Sequence, residues 1–497
     1  MFPGTAQIRA AHFVAKGKAV ADLKCNLIGG QWVGGEPREN INPSNLDDVV
    51  GVYTWASAED MRAAVAAAAA AFPAWSRSGI LERHALLSKV AAELTARREE
   101  LGRLLAREEG KTLPEAIGEV GRAAQIFDFY AGEALRIAGE LLPSIRPGVG
   151  IEVSREAVGV VGLITPWNFP IAIPAGKIAG ALCYGNTIVF KPAELVPGSA
   201  WALVDILHRA GTPAGVINLV MGDGAVVGQA LLDHPDVAAV SFTGSQATGK
   251  RVAQASVALD RRFQLEMGGK NPLVILDDAD LDVAVECAVN SAFYSTGQRC
   301  TAASRLIVTA GIHDRFVAAM LERLETIVVG DALEATTHIG PVVDESQLQI
   351  DLDYIEVGQK EGARLAFGGE LLTRRHRGHY LAPALFTETR PDMTIAREEI
   401  FGPVSCVIRA TDCDAALAIA NATPYGLSSG IVTTSLKHAA DFKRNSEAGM
   451  IMVNLPTAGI EFQVPFGGRK KSSYGARELG RYAADFFTIV KTSYVKA

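Results

Sequence analysis

Apolar runs and amphipathic segments alternate along the chain from about residue 157 onwards. The pattern predicts short strands at Val158–Thr165 and Thr187–Lys191, and helices at Ile171–Leu182 and Ser199–Ala210. It continues with two further strands and one helix, predicted at Val216–Met221, Val237–Thr243 and Gln246–Val257. Strands that alternate with helices favour a parallel sheet covered by helices.

A second series of the same kind begins at Asn271. Pro272–Leu276 and Arg305–Thr309 are predicted as buried strands, with a helix at Leu281–Tyr294 between them. Ahead of both series, an alanine-rich amphipathic helix is predicted near Glu59–Phe72, started by a capping pattern at residues 57 and 60. The sequence therefore predicts an α/β protein with two α/β units.

Composition and charge exclude several classes of protein. The chain has 497 residues and a formal charge of −7 with both signs scattered, so neither a nucleic acid nor a membrane surface is an expected partner. None of the six cysteines forms a Cys-x-x-Cys pair and no histidine falls in a zinc spacing, so we expect neither disulfides nor a metal site. Free thiols fit a reducing compartment and predict a cytoplasmic protein.

Two segments allow other interpretations. Residues 157–182 carry one charge, Lys177, and have the hydropathy of a membrane span, but prolines at 166, 170 and 174 would interrupt a spanning helix. The first 20 residues are basic and contain no acidic side chain, which loosely resembles a transit peptide. They lack its arginine and serine richness, so residues 1–25 are interpreted as an N-terminal extension.

A thiol and a carboxylate carry the candidate chemistry. Cys300 lies in the run Gly-Gln-Arg-Cys-Thr, and Glu266 lies upstream in Leu-Glu-Met-Gly-Gly-Lys. A thiol attacks a carbonyl only as thiolate, and a carboxylate can direct a water at the resulting thioester. The two residue types suit a two-step oxidation or hydrolysis. Cys183 and Cys287 lie in apolar stretches and are interpreted as structural.

The tract Val240–Ser245 ends a predicted strand and opens a helix. Its small residues would let backbone N–H groups approach a phosphate. The spacing Gly244-x-x-x-x-Gly249 is not the Gly-x-Gly-x-x-Gly fingerprint of dinucleotide sites, so by itself an ordinary strand-to-helix turn explains it as well.

Six motifs occur in order along the chain. They are Thr-Pro-Trp-Asn-Phe-Pro from Thr165, Lys-Pro-Ala-Glu from Lys191, Phe-Thr-Gly-Ser from Phe242, Leu-Glu-Met-Gly-Gly-Lys from Leu265, Gly-Gln-Arg-Cys from Gly297 and Glu-Glu-Ile-Phe-Gly-Pro from Glu398. With them the chain resembles the NAD(P)-dependent aldehyde dehydrogenase superfamily from about Asn26 to its end.

The resemblance implies an architecture. A Rossmann-type NAD-binding domain would comprise residues 26–134 and 156–267, and an α/β catalytic domain residues 268–467. A small β oligomerisation arm would comprise residues 135–155 and 481–497, which implies a homodimer or homotetramer. The tail Phe486–Tyr494 alternates apolar and polar residues, as an added edge strand would, and an unpaired edge invites a partner chain.

It also implies roles in catalysis and cofactor binding. Cys300 would attack the aldehyde, Asn168 would donate to the oxyanion and Glu266 would activate water. Lys191 is counted with these catalytic residues, and with Glu194 it would hold the adenosine ribose hydroxyls of the cofactor. Without the family, Asn168 would be a turn residue, and Lys191 and Glu194 a solvated surface pair. A carboxylate at the adenosine ribose favours NAD, although NADP stays open. The implied cofactor residues are Thr165, Pro166, Trp167, Lys191, Glu194, Gly224, Phe242, Thr243, Gly244, Ser245, Gly249, Glu399 and Phe401.

Substrate residues are indicated less directly. Arg299 precedes the thiol and Arg122 lies on a helix that lines the aldehyde tunnel in this family, so two guanidiniums suggest an acidic aldehyde. The alternative is that they pair with local acids such as Glu119 or Asp128. The other implied tunnel residues are Phe169, Gly176 and Phe462, and because relatives often carry tryptophan at the position of Gly176, a wider tunnel is expected.

The tail motifs from Asn454 and Pro465 resemble the subgroup that includes 2-oxoglutarate semialdehyde dehydrogenases. Succinate semialdehyde, glyceraldehyde 3-phosphate and sulfolactaldehyde stay open as substrates. Two other classes remain as alternatives: a cysteine hydrolase, although no histidine lies near Cys300 in sequence, and a non-catalytic scaffold, although Cys300, Glu266 and Asn168 are all present.

Overall fold

The computed structural model describes residues 23–496 and, ahead of them, the two short strands β1 (Val14–Ala15) and β2 (Lys18–Ala19). The remainder of the predicted N-terminal extension lies outside the described residues. The described chain builds two large sheets flanked by helices, a three-stranded sheet, and a separate antiparallel pair, β5 (Glu36–Asn42) with β6 (Asn45–Trp55).

The first large sheet has eight strands in the spatial order β21, β13, β12, β9, β10, β11, β3, β4. The five central strands, β9 to β13, are mutually parallel, and β3, β4 and β21 are antiparallel additions at the edges. Their bounds are β3 Asn26–Ile28, β4 Gln31–Val33, β9 Val160–Ile164, β10 Thr187–Lys191, β11 Ile217–Leu219, β12 Val237–Thr243, β13 Arg262–Glu266 and β21 Ser473–Tyr474.

Helices cover both faces of this sheet, as buried parallel strands require. Every residue of β10 is buried. The helix α1 begins with the predicted capping box, in which the Ser57 hydroxyl accepts from the Asp60 N–H and the Asp60 carboxylate accepts from the Ser57 N–H. The helices are α1 Ala58–Trp75, α2 Ile80–Ala96, α3 Arg98–Glu109, α4 Leu113–Ala134, α5 Ala172–Cys183, α6 Pro197–Arg209, α7 Gln229–Asp233 and α8 Gln246–Ala258.

The second large sheet follows directly, because only residues 267–270 separate β13 from β14. Its spatial order is β16, β17, β18, β15, β14, β19, β20, and all neighbours are parallel except β16 with β17. The strands are β14 Asn271–Ile275, β15 Ala303–Thr309, β16 Arg364–Phe367, β17 Ala384–Thr387, β18 Val404–Ala410, β19 Ser428–Val432 and β20 Met450–Val453. The helices are α9 Leu281–Phe293, α10 His313–Glu325, α11 Glu345–Lys360, α12 Thr394–Arg397, α13 Cys413–Asn421 and α14 Leu436–Asn445.

The three-stranded sheet consists of β7 (Glu140–Pro143), β8 (Val149–Ala157) and β22 (Thr488–Lys496), all antiparallel. The strand β22 lies at one edge, as the tail pattern predicts. The predicted start at Phe486 is wrong, because Phe486 and Phe487 lie in the short helix α15 (Ala484–Phe487) and are buried. Their rings contact each other at 5.0 Å and add to the core instead of alternating along a strand.

The predicted α/β elements are confirmed. Thr187–Lys191 and Val237–Thr243 have the predicted bounds. Each of the other strands and helices of the two series differs from its predicted bounds by at most two residues at either end. The helix α1 runs three residues further than predicted, through Pro73 to Trp75. Among residues 23–496 no helix is both long and apolar enough to cross a membrane.

Candidate active site

The carboxyl ends of the parallel strands in the first sheet lie at one edge. Strands β9, β10, β12 and β13 end at Ile164, Lys191, Thr243 and Glu266. The order of the strands reverses between β9 and β12, because β10 and β11 add on one side of β9 and β12 and β13 on the other. Open α/β sheets bind ligands outside such a reversal. The motifs that the sequence analysis identified at 165–170, 191–194 and 242–245 all follow these strand ends.

Polar groups without protein partners mark this edge. The hydroxyls of Thr165 and Thr243 are buried and have no hydrogen-bond partner among the described residues. A buried hydroxyl that no protein group satisfies is suited to a bound ligand. Ser245 caps α8, and its hydroxyl accepts from the Thr248 N–H at 3.3 Å. Trp167, which follows Pro166, lies edge-on to the Phe401 ring at a centroid distance of 5.3 Å.

Two glycines at the same edge, Gly244 and Gly249, leave the backbone without side chains. A Cβ at Gly244 would lie 2.7 Å from the Phe242 ring, and a Cβ at Gly249 would lie 2.5 Å from the Met267 sulfur. Any side chain at either glycine would therefore displace its neighbours. The residue types at this edge fit a phosphate-containing cofactor, since the helix N-terminus and free hydroxyls offer donors and the glycines permit close approach.

Lys191 and Glu194 form an ion pair at the end of β10. The Lys191 ammonium lies 2.7 Å from Glu194 Oε1, which also accepts from the Gly224 N–H at 2.7 Å. The Lys191 side chain is 6% exposed, so the alternative of a fully solvated surface pair is wrong for the lysine. Within the described chain, Glu194 is the only hydrogen-bond partner of the Lys191 ammonium. Its place in the chemical steps stays a prediction.

Cys300 follows a tight turn that precedes β15. Ser295, Thr296 and Gly297 all have left-handed backbone, with φ of 51°, 56° and 67°. A Cβ at Gly297 would lie 2.1 Å from the carbonyl oxygen of Gly402, so only glycine fits there. Asn271 Nδ2 donates to the Cys300 carbonyl at 2.7 Å and fixes the backbone after the turn.

The Cys300 thiol is held in its neutral form in the free protein. Burial, together with the nearby carboxylates of Glu399 and Glu266, raises the pKa of the Cys300 thiol to about 12. At neutral pH almost no thiolate forms spontaneously. The arrangement therefore requires a base to take the proton during attack.

Asn168 lies beside the Cys300 segment. Its side-chain Nδ2 donates to the Gln298 carbonyl at 2.9 Å, and its own carbonyl accepts from the Lys111 ammonium at 2.6 Å. Asn168 is buried. An amide nitrogen carries two N–H groups, so one remains for a ligand. The structure thus brings Asn168 to the loop that carries Cys300, as the predicted oxyanion role requires.

Glu266 ends β13 with a carboxyl group that is only partly satisfied. Ser473 donates to Oε2, while Oε1 is buried without a hydrogen-bond partner in the described chain. Burial, followed by the charge of Glu478, raises the pKa of Glu266 well above its ordinary value, although Lys177 and Arg477 act in the opposite direction. A Cβ at position 467 would lie 2.8 Å from Glu266 Oε1. Because Gly467 has no Cβ, that side of the carboxyl group stays open.

Glu399 lies between the two sheets. Its Oε1 accepts from the Gly269 N–H at 2.8 Å. A Cβ at Gly268 would lie 1.8 Å from its other oxygen, so that glycine leaves room for the carboxylate. Burial raises the pKa of Glu399 to about 7. Glu399 and Phe401, predicted cofactor residues, are therefore on the same side as Trp167 and Cys300.

The two predicted substrate arginines have different environments. Arg299 Nη2 donates to the carbonyl oxygens of Asn290 and Ser291 at the end of α9, while its Nε is buried without a partner among the described residues. Arg122 lies on α4 with Nη1 buried and unpaired among residues 23–496. Neither arginine pairs with Glu119 or Asp128. One nitrogen of the Arg299 guanidinium is therefore used by the protein, and the cradle of two guanidiniums stays a prediction.

The other predicted tunnel residues pack against protein groups. The Phe169 ring lies 4.0 Å from the Lys111 ammonium, and the Phe462 ring lies 6.0 Å from Phe129 on α4. A Cβ at Gly176 would lie 2.8 Å from Leu479. Leu479 thus occupies the space that a side chain at position 176 would take, and the wider tunnel stays a prediction.

Three residues of the site, Lys177, Ser473 and Glu478, are not predicted from the sequence. Lys177 donates to the Ser241 hydroxyl at 2.8 Å and forms an ion pair with Glu478. The charge of Glu478 in turn raises the pKa of Glu266. The signal for Lys177 is its position as the single charge of residues 157–182. Ser473 and Glu478 have no local signal. They reach Glu266 because β21 pairs with β13 across about 200 residues of sequence.

Within residues 23–496 no group of three His, Cys, Asp or Glu side chains is arranged to hold a metal ion. All six cysteines are free.

Comparison with known proteins agrees with this geometry. The model of the aldehyde dehydrogenase family matches residues 32–493. An alpha-ketoglutaric semialdehyde dehydrogenase of Bacillus subtilis is 45% identical over 476 residues, 95% of this chain and 98% of the relative. An alpha-ketoglutarate semialdehyde dehydrogenase of Haloferax volcanii is 42% identical over 96% of this chain and 99% of its own length.

Solved structures show the same fold. A betaine aldehyde dehydrogenase of Staphylococcus aureus in complex with NAD⁺ superposes with a TM-score of 0.93 at 33% identity, covering 95% of each chain. An NAD-dependent aldehyde dehydrogenase of Sinorhizobium meliloti has a TM-score of 0.93 at 38% identity, covering 96% of this chain and 95% of its own. The predicted resemblance and fold class are confirmed. The chain belongs to the aldehyde dehydrogenase family and is an enzyme that oxidises an aldehyde to its carboxylic acid with a nicotinamide cofactor.

Proposed function

We propose that this enzyme oxidises 2-oxoglutarate semialdehyde to 2-oxoglutarate with NAD. The observation that carries the proposal is Arg122, whose Nη1 is buried without a partner. A guanidinium binds a carboxylate through a planar fork of donors. Relatives that share 42–45% of residues over nearly the whole chain are named for this aldehyde, which supports an acidic substrate with one end at Arg122.

The environment of Arg122 favours a bound anion. Burial lowers the pKa of Arg122, and Glu461 is the only nearby acid whose charge raises it. No salt bridge joins Arg122 to an acid among the described residues. Glu119 lies one helical turn before Arg122 and is occupied by Lys111. A substrate carboxylate would supply a partner for the buried Nη1, because a buried donor without a hydrogen-bond partner destabilises the free protein.

The first step forms a bond between the Cys300 sulfur and the aldehyde carbon. The thiol proton is released to solvent, and the carbonyl electron pair moves to oxygen. The oxyanion accepts from the second N–H of Asn168 Nδ2 and from the Cys300 backbone N–H. Since Asn271 and Gln298 fix the loop on both sides, these donors are placed before the reaction starts.

The second half removes the acyl group. When the nicotinamide is bound, it supplies the acceptor for the hydride of the thiohemiacetal. Glu266 then takes a proton from water, the water oxygen attacks the thioester carbon, and the carbon–sulfur bond breaks. The departing Cys300 thiolate takes that proton back from Glu266, which restores both groups. The free Oε1 of Glu266 is available for that water.

We infer that the cofactor lies along the edge formed by Thr165, Thr243 and Ser245, with Glu399 near the nicotinamide ribose. Lys191 and Glu194 would hold the adenosine ribose. The Glu194 carboxylate would repel a 2′-phosphate, while Lys191 offsets part of that repulsion, so NAD is favoured over NADP.

We also infer the domain division and assembly that the family suggests. The two large sheets support an NAD-binding domain (26–134 and 156–267) and a catalytic domain (268–467). The edge strand β22 and exposed Ile489, Val490 and Tyr494 support an oligomerisation arm and a homodimer or homotetramer. Free cysteines support a cytoplasmic enzyme.

The test is NADH formation with 2-oxoglutarate semialdehyde and with pentanal, a neutral aldehyde of equal length, for the wild type and Arg122→Ala. We expect Arg122→Ala to lower kcat/KM for the acid by about 10- to 100-fold and to change the neutral aldehyde little, since a charge-assisted hydrogen bond is worth about 1.5–3 kcal/mol. The control is Arg136→Ala, an exposed arginine paired with Glu133 just after α4. Equal losses on both aldehydes would contradict the substrate assignment.

A further inference from the structure

A cluster of buried charges lies behind the Asn168 loop. Lys111, between α3 and α4, is 1% exposed, and its ammonium lies 2.6 Å from Glu119 and 3.9 Å from Glu109. Burial raises the pKa of Glu109 to about 8, so Glu109 is mostly neutral at physiological pH and Glu119 is the main counter-charge. Buried ion pairs add little net stability compared with apolar residues of the same volume. The role of the Lys111–Glu119 ion pair is therefore indicated by the groups that it contacts, and not by its contribution to stability.

The pair is directed at the backbone of residues 168–172. Lys111 donates to the Asn168 carbonyl at 2.6 Å. Glu119 Oε1 accepts from the N–H groups of Ile171 at 2.9 Å and Ala172 at 3.1 Å. Hydrogen bonds to charged groups are about twice as strong as neutral ones. One ion pair thus holds both ends of the segment that carries the Asn168 amide.

The same helix also holds the Cys300 side. Glu115 Oε1 accepts from the backbone N–H of Ser295 at 2.8 Å and from its hydroxyl at 3.0 Å, and its other oxygen caps α4 at Thr112. Ser295 opens the left-handed turn that leads to Cys300. Because Glu115 and Glu119 are four residues apart, they project from one face of α4.

We propose that Lys111, Glu115 and Glu119, the α4 ionic cluster, are positioning residues that set the separation between the Asn168 amide and Cys300. The proposal rests on the oxyanion role inferred for Asn168. None of the three touches the thiol, and they act through the two loops that they hold. A displacement of about 1 Å in such a site can cost on the order of 100-fold in rate. The cluster thus fixes the geometry in which the oxyanion forms.

The test replaces Lys111 with methionine, which keeps the volume and removes the donor. Lys111→Met is expected to lower kcat about 10- to 100-fold, equally for acidic and neutral aldehydes, with the KM for NAD unchanged. Alkylation of Cys300 by iodoacetamide should stay within about twofold of wild type, because that displacement forms no oxyanion. General disruption of the site would change both readouts, and parallel losses in oxidation and alkylation would overturn the proposal.

A double-mutant cycle separates this proposal from the function on which it rests. In the Asn168→Ala background, Lys111→Met should cost less than about threefold, since the group it positions is gone. A loss as large as in the wild type would overturn positioning through Asn168. If Asn168→Ala alone left kcat unchanged, the oxyanion role itself would fail, which is a different result.

Two further variants control for folding. Arg83 is a buried cation that donates to the carbonyls of Cys183 and Ser78, so Arg83→Met should reduce stability while leaving kcat within about twofold. Should Lys111→Met fail to fold, Glu119→Gln removes the charge and keeps the shape, and the same drop in kcat without a change in alkylation is expected. A Glu119→Gln enzyme with wild-type kcat would overturn the proposal.

Discussion

Glu119 and Glu266 are both buried carboxylates, one behind the Asn168 loop and one at the end of β13, yet their surroundings differ. Every oxygen of Glu119 has a partner: two backbone N–H groups hold Oε1 and the Lys111 ammonium holds Oε2. Glu266 has one partner, Ser473, and a buried oxygen with none in the described chain. A fully satisfied carboxylate fixes the groups around it, whereas a partly satisfied one keeps capacity for a proton and a water.

The largest expected effect comes from Glu266→Gln. We expect kcat to fall about 10²- to 10⁴-fold, because the base for water is lost. The acyl group should then accumulate on Cys300, and mass spectrometry of acid-quenched enzyme would detect it. Glu119→Gln is the matched comparison, since it should slow the reaction without trapping the acyl group. An acyl adduct of equal occupancy in both variants would remove the distinction between the two carboxylates.

A smaller effect is expected on the rate of thioester hydrolysis when the pH is changed. Because the pKa of Glu266 is raised in the folded enzyme, the acid keeps its proton above the ordinary value for glutamate, and the ionised fraction grows as pH rises through the raised pKa. The rate of thioester hydrolysis should therefore increase about tenfold per pH unit on the acidic limb. Single-turnover deacylation measured from about pH 5 to 9 would show the limb, and its absence would assign the base elsewhere.

The smallest effect concerns a third buried carboxylate, Asp351 on α11. Gln347 donates to its Oδ1 at 2.9 Å, and Oδ2 is buried without a partner in residues 23–496. Burial raises the pKa of Asp351 to about 8. Between the ordinary value of about 4 and that pKa, unfolding releases a proton, so stability falls as pH rises through this window.

Asp351→Asn mimics the protonated form and removes that loss. We expect the variant to be more stable than wild type near pH 8, with the gain shrinking by about 1.4 kcal/mol per pH unit towards pH 5. Thermal unfolding at both pH values measures it. A gain that is independent of pH would show that Asp351 is not ionising in this range, and a large fall in kcat would place it with Glu266.

Much of the fold follows from local pattern. Val237–Thr243 and Thr187–Lys191 were predictable because their residues are apolar and short turns bound them. Phe486 and Phe487 were not, since their burial depends on the core they meet.

The motifs point to Cys300, Glu266 and Asn168 one by one, but not to the groups that hold them. Lys111 contacts Asn168 across 57 positions of sequence, Ser473 contacts Glu266 across 207, and Glu478 contacts Lys177 across 301, so no local pattern indicates them. Arg299 shows the converse. Its place beside the thiol predicts a ligand contact, while in the structure its Nη2 donates to the carbonyls that end α9. Proximity in sequence does not determine where a long side chain points.

The pairing of β21 with β13 has a consequence for the newly made chain. Cys300 leaves the ribosome well before Ser473, so during synthesis the thiol exists while the partner that holds Glu266 has not yet been translated. Domains generally fold in the order in which they emerge. The enzyme therefore passes through a stage in which its nucleophile is present and its hydrolytic base is not yet held, and the later translation of β21 completes the site.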